Sequence, residues 1–182
     1  MNIIICGAGR VGISISAQLC KQGHSITVID KNSEDIQIVN DTQDAKGIVG
    51  IATHPSVLEK ADAKNADMII AVTRNDETNM VVCQIAHSLF NVSRKIARIR
   101  SKEFLKPVWK NLFSKENLPI DIIISPEFEV AQSLYRKLEA PGAIDSIPFA
   151  DDMVRLLEIQ IDEKCPLINT SLSKLSEIFS DL

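Results

Sequence analysis

The sequence predicts an α/β domain with a doubly wound parallel sheet. Short apolar runs bounded by turn residues alternate with amphipathic stretches six times, which is the rhythm of repeated strand–helix–strand units. The apolar runs are nearly continuous rather than alternately polar, so helices are expected on both faces of the sheet. Three close-set glycines, Gly7, Gly9 and Gly12, join the first run to the first amphipathic stretch.

The elements follow in order. "NIIIC" (2–6) reads as a strand, and a helical pattern runs from Arg10 to about Gln22, where Gly23 ends it as a C-terminal cap. "SITVID" (Ser25 to Asp30) is a second strand, followed by a helix from Ser33 through Val39. "GIVGI" (Gly47 to Ile51) is a third, and Pro55 leads a short helix after it, because its fixed φ suits a first helical turn. "DMIIAVT" (Asp67 to Thr73) is a fourth strand, and Met80, Val81, Cys83, Gln84 and Ala86 are spaced as part of one long helix from Asp76 to Phe90. "KIARIR" (Lys95 to Arg100) and "IDIIIS" (Ile120 to Ser125) supply strands five and six, and a last helix runs from Pro126 to about Leu138. This domain occupies residues 1–140.

"APG" (Ala140 to Gly142) breaks the pattern and marks a boundary. Residues 141–182 are expected to form a hinge and the start of a smaller α+β lobe. "AIDSIPFADD" and "MVRLLEIQID" read as strands, and "SLSKLSEIF" (Ser171 to Phe179) as an amphipathic helix. Two strands and a short helix cannot bury a core alone, so this tail is expected to dock on a partner or to begin a truncated second domain.

Composition narrows the classes. With 45% hydrophobic and 24% charged residues, the chain has the profile of a soluble globular protein. It contains no uncharged apolar run long enough to span a membrane, and Met1 leads into a strand without a basic, cleavable leader, so a cytoplasmic location is expected. Cys6, Cys20, Cys83 and Cys165 form no C-x-x-C pair and read as free thiols, while His24, His54 and His87 share no metal-ligand spacing. The net charge of −4 conceals a basic stretch from Arg94 to Lys115, with eight Lys or Arg residues against the single acid Glu103.

The glycines carry the chemistry. They fall on a G-x-G-x-x-G frame that follows a strand, opens a helix, and precedes a second strand ending in the acid Asp30. Gly7 permits a tight turn, Gly9 lets the backbone approach a pyrophosphate, and Gly12 lets the helix pack near the strand. The helix then turns its free N–H groups and positive end toward the phosphates. Asp30 is placed to accept hydrogen bonds from the adenosine ribose, each worth roughly 1.5–3 kcal/mol, and its charge disfavours a 2′-phosphate. NAD or another adenine nucleotide is therefore expected over NADP. Thr53, the loop Thr73–Asn79, and Arg98 and Arg100 lie at the carboxyl ends of later strands, where the same fold gathers ligand contacts. Turn formation or helix capping by Asn75, Asp76 and Thr78 stands beside ligand contact for that loop. Arginine fits phosphate in a bidentate fork, which favours a ligand role for Arg98 and Arg100.

"GAGRVG", "VID", "ATHPSVLEKADAKNADMIIAVTRNDETNMVVCQIA" and "ARIRS" together resemble the RCK (KTN) family of Rossmann-like nucleotide-binding domains, the regulatory units of Trk-type potassium uptake. The resemblance covers roughly residues 1–140, and the tail looks like the start of that family's C-terminal lobe, so the chain resembles a fragment of a longer protein. It implies a cytoplasmic regulatory subunit, peripheral to the inner membrane face through a separate pore subunit, that binds NAD(H) or ATP/ADP and regulates potassium flux. It also implies a homo-oligomer built from dimers. Carried over to this sequence, Gly7, Gly9, Arg10, Val11 and Gly12 surround the phosphates, Asp30 holds the ribose and Thr53 lies by the adenine. Thr73 and Asn75 border the distal half of the ligand, and Arg98 or Arg100 approaches phosphates, with a dimer interface as one route. Glu127 matches an acid that lies near the γ-phosphate and a divalent cation.

Two other classes compete. An NAD-dependent dehydrogenase would need a proton donor beside the nicotinamide. The only tyrosine, Tyr135, is followed four residues on by Glu139 rather than a lysine, and no catalytic residue is assigned, so a non-enzymatic role is expected. A nucleic-acid binder would use the basic stretch with Trp109 and Phe113, but the chain as a whole is acidic, and no nucleic-acid partner is expected.

Overall fold

The computed structural model describes residues 1–139, 143–150 and 153–161, together with Ile168, Ser171 and Lys174. It divides into two compact units, Met1–Pro126 and Glu127–Leu182. The first contains β1 (Asn2–Cys6), α1 (Arg10–Lys21), β2 (Ser25–Asp30), α2 (Ser33–Thr42), β3 (Ala45–Val49), α3 (Pro55–Lys60), β4 (Met68–Ala71), α4 (Asp76–Phe90), β5 (Arg94–Arg98) and β6 (Ile122–Ile124). Short 3-10 turns at Ala63–Asn65 and Pro107–Phe113 complete it. All six strands are parallel, in the order β3-β2-β1-β4-β5-β6. This is the expected Rossmann-like, doubly wound sheet.

The continuous apolar strands do bury both faces. Ile3 and Ile5 of β1 join Ile26, Val28, Ile36, Val39 and Ile70 in one core layer, against which residues of α1 pack. Ile4 and Cys6 point the opposite way and join Ile29, Leu58, Ile69, Val82 and Cys83 beneath α3 and α4. One strand thus feeds two cores through the two-residue alternation of its side chains. Burial suppresses ionisation of both thiols: that of Cys6 is pushed far up and that of Cys83 up to about 12. Cys6, Cys20 and Cys83 are free, and Cys165 lies outside the described residues.

Several boundaries shift by a turn or less. α2 begins at Ser33 as expected, capped by Asn32, whose side chain accepts from the Glu34 N–H at 3.0 Å. α2 continues past Val39 to Thr42. β3 begins at Ala45, where it meets Ile26, and ends at Val49 beside Asp30. α1 stops as expected: Gly23 takes φ 79° and its N–H donates to the Cys20 carbonyl, the left-handed cap that glycine adopts without strain.

The second unit holds α5 (Pro126–Glu139 in full extent) and an antiparallel hairpin of β7 (Ala143–Phe149) and β8 (Val154–Ile159). The helix expected over 171–179 falls, apart from Ser171 and Lys174, outside the described residues. Among the described residues no helix is long and apolar enough to cross a membrane.

Part of the basic stretch is structural. Lys95 sits in β5 at 4% exposure, its Nζ 3.0 Å from Asp121 Oδ2 and donating to the Val92 and Ser93 carbonyls. The Lys95 N–H also donates to Asp121, and the Asp121 N–H returns to the Lys95 carbonyl, closing β5 onto the approach to β6. Partial burial would raise the Asp121 pKa, but the Lys95 N–H and ammonium outweigh it and hold the carboxyl below its ordinary range. A lowered folded pKa means that this stability is complete above the ordinary value and is lost as pH falls through the folded one. Asp121→Asn should therefore cost about 1–3 kcal/mol near neutrality, the range for leaving one buried partner, here the Lys95 ammonium, without its acceptor. In urea titrations the gap from wild type should narrow as pH falls below 3.8; a gap independent of pH would refute the assignment.

Candidate functional site

The strand order reverses between β1 and β4: the chain builds β2 and β3 on one side of β1, then crosses to β4, β5 and β6 on the other. A crevice at the carboxyl ends of β1 and β4 follows from that reversal, and the glycine turn lies there. Gly7 has φ 115°, and a Cβ on it would stand 2.9 Å from the Thr73 nitrogen and 3.0 Å from the Val72 carbonyl carbon. A Cβ on Gly12 would overlap the Gly7 carbonyl. Both residues are glycine because the chain approaches itself. Gly9 is different: its φ is −71°, and a Cβ there would meet nothing within 4 Å.

The helix that starts at this open space is left unsatisfied. No side chain caps α1, and its first turn, which includes Arg10 and Val11, contains no acid. By contrast Asn32 caps α2 ahead of Glu34 and Asp35, and Asn75 caps α4 ahead of Asp76 and Glu77. Unlike those two, α1 leaves its first N–H groups and positive dipole end for an anion; the six-residue α3 also lacks a side-chain cap and an acid, but it starts with Pro55, which has no N–H.

Asp30, at the end of β2, is tied into the turn. Its Oδ2 accepts the Ala8 N–H at 2.7 Å and its Oδ1 the Asn32 N–H at 2.9 Å. Each oxygen keeps acceptor capacity for a hydroxyl. Thr53 is half-buried in the loop between β3 and α3. Thr73 follows β4, its backbone nitrogen the nearest neighbour of the space a Gly7 side chain would need. The Asn75 side chain is committed to capping, accepting the Thr78 N–H at 2.7 Å. Arg98 ends β5. The Arg100 guanidinium turns back toward Asp76, with Nε 3.7 Å from Oδ1, and toward the Arg74 carbonyl. The structure thus brings the glycine turn, Asp30 and Thr73 together around β1, while Asn75 and Arg100 make contacts within the chain. Glu127 belongs to the second unit, in the first turn of α5. Among the described residues no three His, Cys, Asp or Glu side chains gather as a metal site.

Two residues that sequence reasoning undervalued hold the far side of the crevice. Asp76 is buried, and its Oδ2 accepts the N–H groups of Arg100 and Ser101, both at 2.9 Å. Asn79 is fully buried and bonds to Thr73 and to the Arg98 carbonyl. The signal was available: positions 76 and 79 fall on the same stripe as Met80, Cys83 and Ala86, so polar residues there had to be buried and partnered. Asp76→Ala would orphan two backbone donors and should cost about 2–3 kcal/mol. Hydrogen exchange should show faster loss of protection at Arg100 and Ser101 than at β1; uniform loss would mean that Asp76 does not act locally.

Comparison with known proteins gives a consistent picture. The TrkA-N domain model matches residues 3–126. The Trk system potassium uptake protein TrkA of Azorhizobium caulinodans is 44% identical over 182 residues, covering 100% of this chain and 40% of the relative. The chain thus spans about two fifths of the length of that curated relative. The TrkA-N domain of the inner membrane protein YbaL from Escherichia coli superposes with TM-score 0.65 at 16% identity, covering 75% of this chain and 96% of that one. The GsuK channel bound to NAD superposes with TM-score 0.61 at 19% identity, covering 82% of this chain and 25% of that one. At those identities the superpositions speak for the fold, and the sequence matches for descent: the chain belongs to the TrkA-N domain family.

Proposed function

We propose that this chain is the nucleotide-binding part of a regulatory subunit of a potassium uptake system, which binds NAD(H) or ATP/ADP without catalysis. Nucleotide state would be coupled to the opening of a separate membrane pore. The observation that carries the reading is the open space at Gly9, facing a helix start that is neither capped nor acidic. Neither feature serves the packing of the chain, and both suit a pyrophosphate. Gly7, Gly9, Arg10, Val11 and Gly12 would surround the phosphates, Asp30 would hold the ribose, and Thr53 would lie by the adenine. Thr73 and Asn75 would border the distal half, the Asn75 side chain being committed as a cap. Arg98 and Arg100 would serve phosphates, Arg100 after release from Asp76. With ATP, Glu127 would help hold a divalent cation whose other ligands come from the phosphates or a second subunit. The name of the A. caulinodans relative supports the potassium system, and the NAD of the GsuK channel supports the ligand class. We place the protein at the cytoplasmic membrane face through its pore partner.

Regulation of this kind requires a ligand that binds two arrangements of subunits unequally, with coupling typically of about 1–3 kcal/mol. The proposed contact is α5, where Phe128, Val130, Leu134, Tyr135 and Leu138 are all exposed. A helix with so much uncovered apolar surface suits an interface between copies of the chain.

Gly9→Val is the discriminating variant, because Gly9 needs neither space nor unusual φ. It should melt near wild type yet lose nucleotide affinity by more than Asp30→Ala, for which a loss of roughly ten- to a hundredfold is expected. Calorimetry with NADH and ATP measures both, and unchanged affinity in Gly9→Val would end the proposal. Sedimentation should show at least a dimer, dissociated by Leu134→Asp; a monomeric wild type at micromolar concentration would exclude α5 as the contact.

A further inference from the structure

The hydrogen bonds around Asn79 determine which way the Thr73 hydroxyl can act. The Asn79 amide has one possible orientation: the Thr73 N–H donates at 2.9 Å and requires the oxygen, while the Arg98 carbonyl at 2.8 Å requires the NH2 group. The Thr73 Oγ1 then stands 2.6 Å from Asn79 Oδ1. An amide oxygen only accepts, so the single hydroxyl proton must lie on that line. The Asn75 carbonyl, 3.1 Å from Oγ1, is the poorer alternative. A proton directed there would leave two lone-pair-bearing oxygens in repulsive contact. Asn79 is fully buried, so no water competes for its oxygen.

The half-buried Thr73 hydroxyl, at the carboxyl end of β4, therefore has no proton to offer a ligand, only lone pairs. One is loosely engaged by the Asn75 N–H at 3.4 Å, which leaves an acceptor for a ligand. We propose that Asn79 is a positioning residue that makes Thr73 an obligate acceptor, so that the site prefers a ligand presenting a hydroxyl or amide N–H beyond β4 over one presenting a phosphate oxygen. This rests on the nucleotide reading above and sharpens it. A dinucleotide carries a second ribose and a carboxamide as donors for that position, whereas the γ-phosphate of a triphosphate offers only oxygens, which repel Oγ1.

The test is the ratio of NADH to ATP affinity in the purified protein, measured by calorimetry with AMP as a reference for the adenosine half. Thr73→Val keeps the shape but removes the acceptor, and should shift the ratio toward ATP about two- to tenfold, the worth of one net hydrogen bond. Thr73→Ser should restore the wild-type ratio. Asn79→Ala, which frees the hydroxyl to donate, should also shift the ratio toward ATP. Should Asn79→Ala fail to fold, the Thr73 pair still decides. A ratio unmoved in Thr73→Val, or moved toward NADH, overturns the inference while AMP binding leaves the nucleotide reading intact. Absence of binding by AMP, NADH and ATP alike in wild type would overturn that reading itself.

Discussion

The arrangement depends on one close approach, that of the glycine turn to its surroundings. Gly7 lies against the Val72–Thr73 backbone, and Gly12 brings α1 against the Gly7 carbonyl, at distances that no side chain could share. Together they hold the start of α1 over the end of β1, at the point where the strand order reverses. If either contact were relaxed, the free N–H groups of α1 would no longer face the crevice. Asp30 reinforces the same geometry by binding the Ala8 N–H from the neighbouring strand. One carboxylate thus shapes the turn and remains able to meet a ligand.

The far side of the crevice is built by different means. Instead of glycines it uses buried polar side chains, Asp76 and Asn79, projecting one turn apart from the start of α4. Asp76 satisfies the chain as it leaves β5, and Asn79 links the ends of β4 and β5. Burying such groups is tolerable when they are hydrogen-bonded: Asp76 uses Oδ2 and leaves Oδ1 to the Arg100 Nε at 3.7 Å, whereas both ends of the Asn79 amide are engaged, which makes that side chain directional. The same device that rigidifies the strand ends therefore also sets the polarity of Thr73.

The basic stretch shows why charge counts along a sequence mislead. Lys95 is consumed by Asp121 and two carbonyls, Lys106 pairs with Glu103 at 2.6 Å, and Arg100 faces Asp76. A run that looked like a surface for polyanions is in part the internal fastening of β5 and the loop after it. Separating the two meanings needs the partners, and the decisive ones lie far apart in sequence, 26 residues for Lys95 and Asp121 and 24 for Arg100 and Asp76.

By itself the sequence determined the sheet, its two covered faces, the glycine turn and the acid at the end of β2. These rest on short-range properties: β-branched runs, helical spacing, and the inability of any residue but glycine to occupy certain turns. It also determined the family, because those local features recur at fixed spacing. Only the tertiary structure decided the roles within the site. It separated Gly9, open to a ligand, from Gly7 and Gly12, required by packing. It committed the Asn75 side chain to a helix cap, turned Arg100 toward Asp76, and showed Asn79, the last residue of the loop expected to gather ligand contacts, to be buried and bonded to Thr73. The reason is that a polar side chain can bond to a ligand, a cap or a distant strand with equal chemistry, and only the positions of its neighbours in space select among them.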